Sequence, residues 1–397
     1  MAEDLRLILN PHPRSGGAFP FLSEPALKEV HEFHRGMDGY APTPLLSMRS
    51  LAESLGVSEF LVKDESKRFG LNAFKVLGGS WAMGKYVCGR LGLPVDENSF
   101  SALCSGRYSK ALESITFVTA TDGNHGRGVA WTAMMLGCRA VVYLPEGSAR
   151  ERLENILALG AHGEIMPFNY DGTVRYAKKM AEENGWVLLQ DTSLPGYEEM
   201  PRAIMQGYTT MACEIDSQLR SSGRKKPTHL FLQAGVGSMA GAVAGCLVSL
   251  WRADCPKIII VEPDKADCIF RTAEADDGRL HTVSGSMDSM MAGLCCGEPC
   301  SAAWEILRDT TCAFISCSDD YSAFGMRLLA HPYGDDSAVV SGESGAVTAG
   351  VAAGLMAEAA FADMRAALGL SSDSRILVIS TEGDTDRENY LRITRSI

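Results

Sequence analysis

The chain has 397 residues, 46% of them hydrophobic and 22% charged, with 37 Lys and Arg against 49 Asp and Glu for a formal net charge of −12. That length and apolar content bury a core larger than one small domain needs, so two lobes are expected. An acidic balance with no block of Lys or Arg excludes the phosphate attraction that drives nucleic-acid binding, and apolar stretches broken by Gly or charge exclude a membrane span.

In chain order, the start Met1-Ala2-Glu3-Asp4-Leu5-Arg6 begins with acids and lacks both a basic segment and a following apolar run, so no signal peptide is expected there. Residues 84–114 are weakly periodic and read as an insertion or a crossing between lobes. From about Ser114 onward, short β-branched runs alternate with helical periodicity, the pattern of parallel sheet wrapped by helices. Strands are predicted at 115–121 and 139–144, a helix at 148–159, a helix at 173–183 and a strand at 186–190. A strand at 229–233, a helix at 239–251 and a strand at 257–262 follow, then a helix at 344–360 and a strand at 375–380. The twelve cysteines are scattered, which fits a reducing cytoplasm better than a disulfide scaffold. Cys295-Cys296-Gly297-Glu298-Pro299-Cys300 lacks two-residue ligand spacing and a nearby His, so it reads as thiols rather than a metal site.

Ligands in such sheets sit beyond the carboxyl ends of the strands. Three of the predicted strand ends run into unusual loops: Asp122-Gly123-Asn124-His125-Gly126, Ala234-Gly235-Val236-Gly237-Ser238, and Thr381-Glu382-Gly383-Asp384. The second opens a small-residue helix, where backbone N–H groups and the helix dipole favour an anion such as phosphate; alternatively it is a tight strand-to-helix turn. It has neither a dinucleotide fingerprint nor a nucleotide P-loop ending, which argues against a Rossmann-type dehydrogenase. Lys75, after Phe74 and before Val76-Leu77-Gly78-Gly79, is either a snorkelling surface residue or a semi-buried amine whose pKa desolvation lowers until it can form a Schiff base.

Taken together and in order, Asn72-Ala73-Phe74-Lys75, Gly123-Asn124-His125-Gly126 and the 235–238 loop resemble the fold type II pyridoxal-phosphate enzymes, the family of the tryptophan synthase β-subunit and threonine deaminase. The resemblance runs from Thr43-Pro44-Leu45 to Ser380-Thr381-Glu382-Gly383-Asp384, and within it the stretches 63–75 and 121–131 are similar to the diaminopropionate ammonia-lyases. It implies a two-lobed α/β fold of mostly parallel twisted sheets with helices on both faces. Residues 1–90 and 195–397 would form a large cofactor-binding domain, and 91–194 a small one carrying the Asp122 loop. It further implies that Lys75 binds pyridoxal 5'-phosphate as a Schiff base, with Phe74 packed near the ring and Asn124 on the phenolic oxygen. The amides of Gly235, Val236, Gly237 and Ser238 would hold the phosphate. A hydroxyl of Ser380 or Thr381, with Ser380 favoured, would stand beside the pyridine nitrogen. A hydroxyl does not hold that nitrogen protonated, so the cofactor is a weaker electron sink, suited to prompt loss of a β-substituent.

Asp122 departs from the dehydratase and racemase pattern, where a neutral residue is usual. It is read either as a cap on the following helix or as an acid/base opposite Lys75 that also complements a second substrate ammonium. Asp191, in Leu189-Gln190-Asp191-Thr192-Ser193, is a second acid that either shares that selection or caps a loop. His125 is expected to order its loop, and Glu343 to be a helix-start acid or a cofactor neighbour. Cys268 and Cys295 or Cys296 are expected near the site and open to oxidation. The expected reaction is elimination from L- and D-2,3-diaminopropionate, giving pyruvate and two ammonia, with Lys75 serving the L-isomer and Asp122 the D-isomer. The rivals are a serine or threonine dehydratase and a non-catalytic cofactor-binding regulatory protein. The partners expected are a small amino acid and a second copy of the chain, with no metal, nucleic acid or membrane.

Overall fold

The computed structural model describes residues 5–13, 19–96, 98–192 and 196–395, so Met1 to Asp4, Ser193 and the expected boundary at Leu194 lie outside the described residues. Among those described, eleven strands form two sheets. In chain order they are β1 (Leu5–Leu9), β2 (Leu45–Ser47), β3 (Glu59–Asp64), β4 (Thr116–Ala120), β5 (Arg139–Leu144), β6 (His162–Ile165), β7 (Val187–Leu188), β8 (His229–Gln233), β9 (Lys257–Pro263), β10 (Thr311–Cys317) and β11 (Arg375–Ser380). The larger sheet runs β1-β10-β9-β8-β11-β3-β2 and the smaller β6-β5-β4-β7. Only the two edge strands of the larger sheet, β1 and β2, pair antiparallel. The fold is α/β.

The larger sheet is covered on both faces, and the two-residue period of its strands sends alternate side chains into different cores. Leu61, Leu230, Leu232, Ile258, Ile260, Leu377 and Ile379 pack into one. Their neighbours Phe60, Val62, Phe231, Ile259, Val261, Ile376 and Val378 pack into another. The first core also takes in Phe117, Ala140 and Leu189 of the smaller sheet, so one apolar layer joins the two sheets. Its helices are Val76–Leu91, Glu199–Ser221 and Ser238–Trp251, while Asp319–Ala330 and Glu343–Ala357 cover the opposite face. No single helix among the described residues is long and apolar enough to cross a membrane.

The strands expected at 139–144, 229–233 and 375–380 match β5, β8 and β11, that at 115–121 is one residue too long at each end, and that at 257–262 is one residue short at its end. The strand expected at 186–190 shrinks to β7. Beyond it the chain follows β4 through a Leu189 N–H donated to Val118 O at 2.8 Å and an Ala120 N–H donated to Gln190 Oε1 at 3.0 Å, the second a side-chain substitute for a ladder bond. Residues 84–114 begin inside the helix Val76–Leu91 and then carry two short helices leading to β4, so this stretch crosses between the sheets. The expected helix 344–360 ends at Ala357, after which Glu358 turns extended. Strands β1, β2, β3, β6 and β10 were not anticipated. In β3 the apolar run Phe60-Leu61-Val62 is short and flanked by Glu59, Lys63 and Asp64, which disguise a strand whose last five residues are all buried.

The helices Asp319–Ala330 and Glu343–Ala357 touch backbone to backbone. A Cβ on Gly350 would collide with Tyr321 O, and one on Gly325 with Ala346 O. Replacing Gly350 with Val should lower the denaturant midpoint of unfolding by the equivalent of about 1–3 kcal/mol or more, the cost of overpacking. Gly89→Ala, in a helix but with nothing within 4 Å of its would-be Cβ, should instead raise the midpoint through helix propensity. Equal effects of the two would contradict the packing.

Candidate active site

The segment that carries Lys75 is held from both sides. After β3, Asp64 accepts the Ser66 N–H at 3.1 Å. Arg68 then forks onto two buried carboxylates, donating to Glu65 at 2.8 and 2.9 Å and to Glu214 at 2.7 and 2.8 Å. Phe69 and Asn72 take left-handed φ of 48° and 60°, and the strain at Asn72 is offset by its amide donating to Asp384 Oδ1 at 3.1 Å. The Phe74 N–H donates to Thr381 O at 3.1 Å, so the end of β11 fixes the residue before Lys75.

Lys75 Nζ donates to Asp191 Oδ2 at 2.6 Å. Burial alone pulls this ammonium down, but Asp191, with Tyr208 and Asp122 near, holds it well above the usual lysine value. The sequence-based expectation of a lowered pKa is therefore corrected: desolvation is present, and a buried carboxylate outweighs it. Burial likewise pushes the Asp191 carboxyl up, yet Lys75 and His125 hold it well below the ordinary range. Tyr170 donates to its second oxygen at 3.2 Å, and Ser238 Oγ donates to its carbonyl at 2.6 Å. Asp191 thus ties the lysine to the glycine loop and is no mere loop cap.

Asp122 follows β4, and it does not cap the helix Asn124–Leu136. Thr121 Oγ1 does so, accepting the N–H groups of Gly123 at 2.9 Å and Gly126 at 3.0 Å. Asp122 Oδ2 is left buried on the cavity wall without a hydrogen-bond partner. Asn124 donates to Glu382 Oε2 at 3.4 Å. His125 Nε2 donates to Leu189 O at 2.9 Å, which orders the loop as expected, and burial lowers its pKa.

Between β8 and the helix Ser238–Trp251, Gly237 has φ 93° and the first turn leaves its N–H groups without intrahelical partners. Among the described residues, none of the N–H groups of Gly235, Val236, Gly237 and Ser238 donates to a backbone carbonyl. A Cβ on Gly235 would lie 3.2 Å from both Cys296 Sγ and Leu294 Cα. The loop is therefore a cradle of free donors facing the cavity, with the chemistry of a phosphate site.

One cavity is lined by Phe74, Lys75, Asp122, Asn124, Asp191, residues 235–238 and Thr381 together. Ser380 is behind the wall, its hydroxyl donating to Ser341 Oγ at 2.7 Å, so Thr381 is the hydroxyl that faces inward. Gln233, Tyr170, Tyr208 and Gly293, which were not expected at the site, also line it, as does Glu382 from the expected 381–384 loop. Gln233 closes its strand by donating to Ile379 O, Ser344 O and Thr381 Oγ1 at 3.0 to 3.1 Å, leaving its buried Oε1 unpartnered. Tyr208 packs on Phe74 at 4.8 Å between ring centroids, its buried hydroxyl unpartnered. Burial, then Glu343 and Asp122, push the Glu382 carboxyl up to about 7. A polar residue directly after a strand and glycines was the only available signal for these. Glu343 lies just outside, accepting from Asn389 at 2.5 Å. Cys268 donates to Gly235 O at 3.7 Å and Cys296 lines the cavity, while Cys295 donates to Ser289 O at 3.4 Å. Burial raises all three thiols, which makes them poor nucleophiles.

A family model described as pyridoxal-phosphate dependent enzyme matches residues 37–382. The chain is 48% identical over 379 residues to the diaminopropionate ammonia-lyase of Escherichia coli K12, covering 96% of this chain and 94% of that protein. A crystal structure of the Escherichia coli diaminopropionate ammonia lyase with an aminoacrylate-PLP azomethine reaction intermediate matches with a TM-score of 0.90 at 46% identity, covering 98% of this chain and 96% of that one. Another, in complex with D-serine, matches with a TM-score of 0.92 at the same identity and coverage. The cradle of free N–H groups and the lysine fit the phosphate and the aldehyde of pyridoxal phosphate.

Gly235→Val should weaken pyridoxal-phosphate binding, because the added side chain meets Cys296 and Leu294 and pushes the amides out of line. Titration of the stripped protein, followed by the visible absorbance of the bound cofactor, would show it. Unchanged affinity would move the phosphate elsewhere.

Proposed function

The chain belongs to the pyridoxal-phosphate-dependent enzymes and, within them, to the diaminopropionate ammonia-lyases, and on that premise we propose that it converts both isomers of 2,3-diaminopropionate, with one water, to pyruvate and two ammonia. Pyridoxal phosphate, when bound, supplies the electron sink that makes the α-hydrogen of an attached amino acid removable. Lys75 would take its aldehyde, the amides of Gly235, Val236, Gly237 and Ser238 its phosphate, and Asn124 its phenolic oxygen. Phe74 would line the ring, and the Thr381 hydroxyl, rather than the favoured Ser380, would stand beside the ring nitrogen. In this reading residues 1–90 and 195–397 form the large lobe with Lys75 and the glycine loop, and 91–194 the small lobe with Asp122 and Asp191.

The observation that carries the reading is that two proton-carrying groups line one cavity: Lys75 Nζ, held as an ammonium by Asp191, and the buried, unpartnered Asp122 Oδ2. They reach the cavity from different sheets, Lys75 from the helix start after β3 and Asp122 from the turn after β4. Two such groups in different places, Lys75 once it has given up its proton, serve two α-hydrogens of opposite configuration. Asp191, bonded to Lys75, keeps the amine in place to take and return a proton, and its carboxylate complements the extra ammonium that distinguishes a diamino acid from serine. The proposal includes a homodimer working in the cytoplasm, the first on family resemblance and the second on the scattered cysteines.

Lys75→Ala should abolish turnover of both isomers while the circular dichroism stays native. Asp122→Asn should cut elimination from the D-isomer by about 10²–10⁴-fold, the usual worth of a general base, and leave the L-isomer nearly intact. Losses that match on both isomers would make Asp122 a binder of the substrate ammonium instead. Sedimentation velocity at micromolar concentration should give the mass of two chains, and a monomer would refute the dimer.

A further inference from the structure

Arg152 took no part in the sequence reading, yet it is the side chain most closely wrapped around Asp122. It projects from the helix Arg150–Leu157 and is 10% exposed, against 14% for Asp122. Its stem lies across the Asp122-Gly123 turn: the position a Gly123 Cβ would take is 2.9 Å from Arg152 Cδ and 3.1 Å from its Cβ. Gly123 has φ 141°, so both the backbone angle and the arginine stem require a glycine there. Nη1 donates to Asp122 O at 3.2 Å and stands 3.7 Å from Asp122 Oδ2. Nε is buried with no partner.

The guanidinium does not line the inner cavity. It lines an adjoining outer pocket that shares Asp122 and Tyr170 with it. Its charge also reaches the Glu343 and Glu382 carboxyls, but the residue it contacts, by a hydrogen bond to the carbonyl and an ion pair with the carboxylate, is Asp122. Lys75, by contrast, is fixed by Asp191 and by the 381–384 turn, neither of which hydrogen-bonds Arg152.

We propose that Arg152 is the positioning residue of Asp122: it pins the turn and aims the carboxylate into the cavity, and so sets the enzyme's activity toward the D-isomer independently of the L-isomer. This rests on the reading of Asp122 as the D-isomer's proton acceptor. Arginine suits the task because its planar guanidinium donates to the Asp122 carbonyl from a fixed direction while its stem packs across Gly123, whereas a lysine supplies the charge on a more mobile stem. A fixed angle matters because a displacement of about 1 Å at a proton acceptor costs up to about 10²-fold in rate.

The test measures kcat and KM for each isomer separately, using cofactor-loaded Arg152→Met and Arg152→Lys, alone and combined with Asp122→Asn. Arg152→Met should lower kcat on the D-isomer by about 10²-fold, with KM and the L-isomer little changed. Arg152→Lys should recover part of the loss, and neither change should reduce activity further once Asp122 is Asn, as in a coupled double-mutant cycle. Equal losses on both isomers, a KM rise on both that would put Arg152 on the substrate carboxylate, or full additivity with Asp122→Asn would each overturn the proposal. If Asp122→Asn by itself strikes both isomers alike, the underlying reading of Asp122 fails, and non-additivity alone then decides whether Arg152 acts through it. Should Arg152→Met not fold, the isomer ratio of Arg152→Lys carries the test, and a ratio like that of the unaltered enzyme would refute it.

Discussion

The hydrogen-bonded ion pair between Lys75 Nζ and Asp191 Oδ2, 2.6 Å long, spans the two sheets. The lysine hangs from the larger sheet through β3 and the turn after β11; the aspartate follows β7 of the smaller. Both are largely buried, and a buried charge without a partner is costly, so neither residue can move far while the other stays. Ser238 bonds the aspartate's own carbonyl, which brings the glycine loop into the same register. Amine, Asp191 and anion cradle are therefore placed relative to one another by a single polar node rather than by three independent loops.

Beneath that node lies a second, with Lys63, Glu65, Arg68 and Glu214 all at most 1% exposed. Two cations face two anions, with Tyr40 and Thr43 supplying further donors to Glu214 and Glu65. Burying four charges is a poor route to stability, since apolar residues of similar volume often do as well or better. What the network does supply is a fixed path for residues 65–74 between the strand β3 and the helix Glu199–Ser221. A path with left-handed residues at Phe69 and Asn72 needs such external determination.

Much of this was visible in the residues. The strands with apolar runs behind a leading arginine, such as 139–144 and 375–380, were legible because burial on both faces leaves no charge inside the run. β3 was not, because its buried Lys63 and Asp64 look like surface residues until Glu214, more than 150 positions away, is brought to Lys63 at 2.7 Å. At the site, Lys75, Asp122, Asn124 and the 235–238 loop stood out because glycine, amide and charge cluster next to strand ends. Asp122's role as a cap was a fair local inference, and the hydroxyl of the preceding residue took that place. Glu382 and Arg152 were hidden for another reason: their meaning lies in contacts with distant chain segments, which local spacing does not encode. The raised pKa of Lys75 belongs to the same class, since the sign of the shift depends on a carboxylate 116 residues later.

The glycine contacts between the helices Asp319–Ala330 and Glu343–Ala357 bear on how this pocket can diverge. Ser344, on the cavity wall, is anchored at the start of a helix that has no slack, because Gly350 already rests on its neighbour's backbone. That wall can neither retreat to admit a bulkier side chain nor advance to exclude one without dismantling the helix pair. Changes in substrate size are left to the adjoining segment of Gly293, Leu294 and Cys296, which has a single short helical turn and meets the helix through the Gly293 N–H donated to Ser344 Oγ at 3.2 Å. Natural variation in specificity, and any effort to redirect it, should accumulate there, while the helical wall stays the same for every substrate.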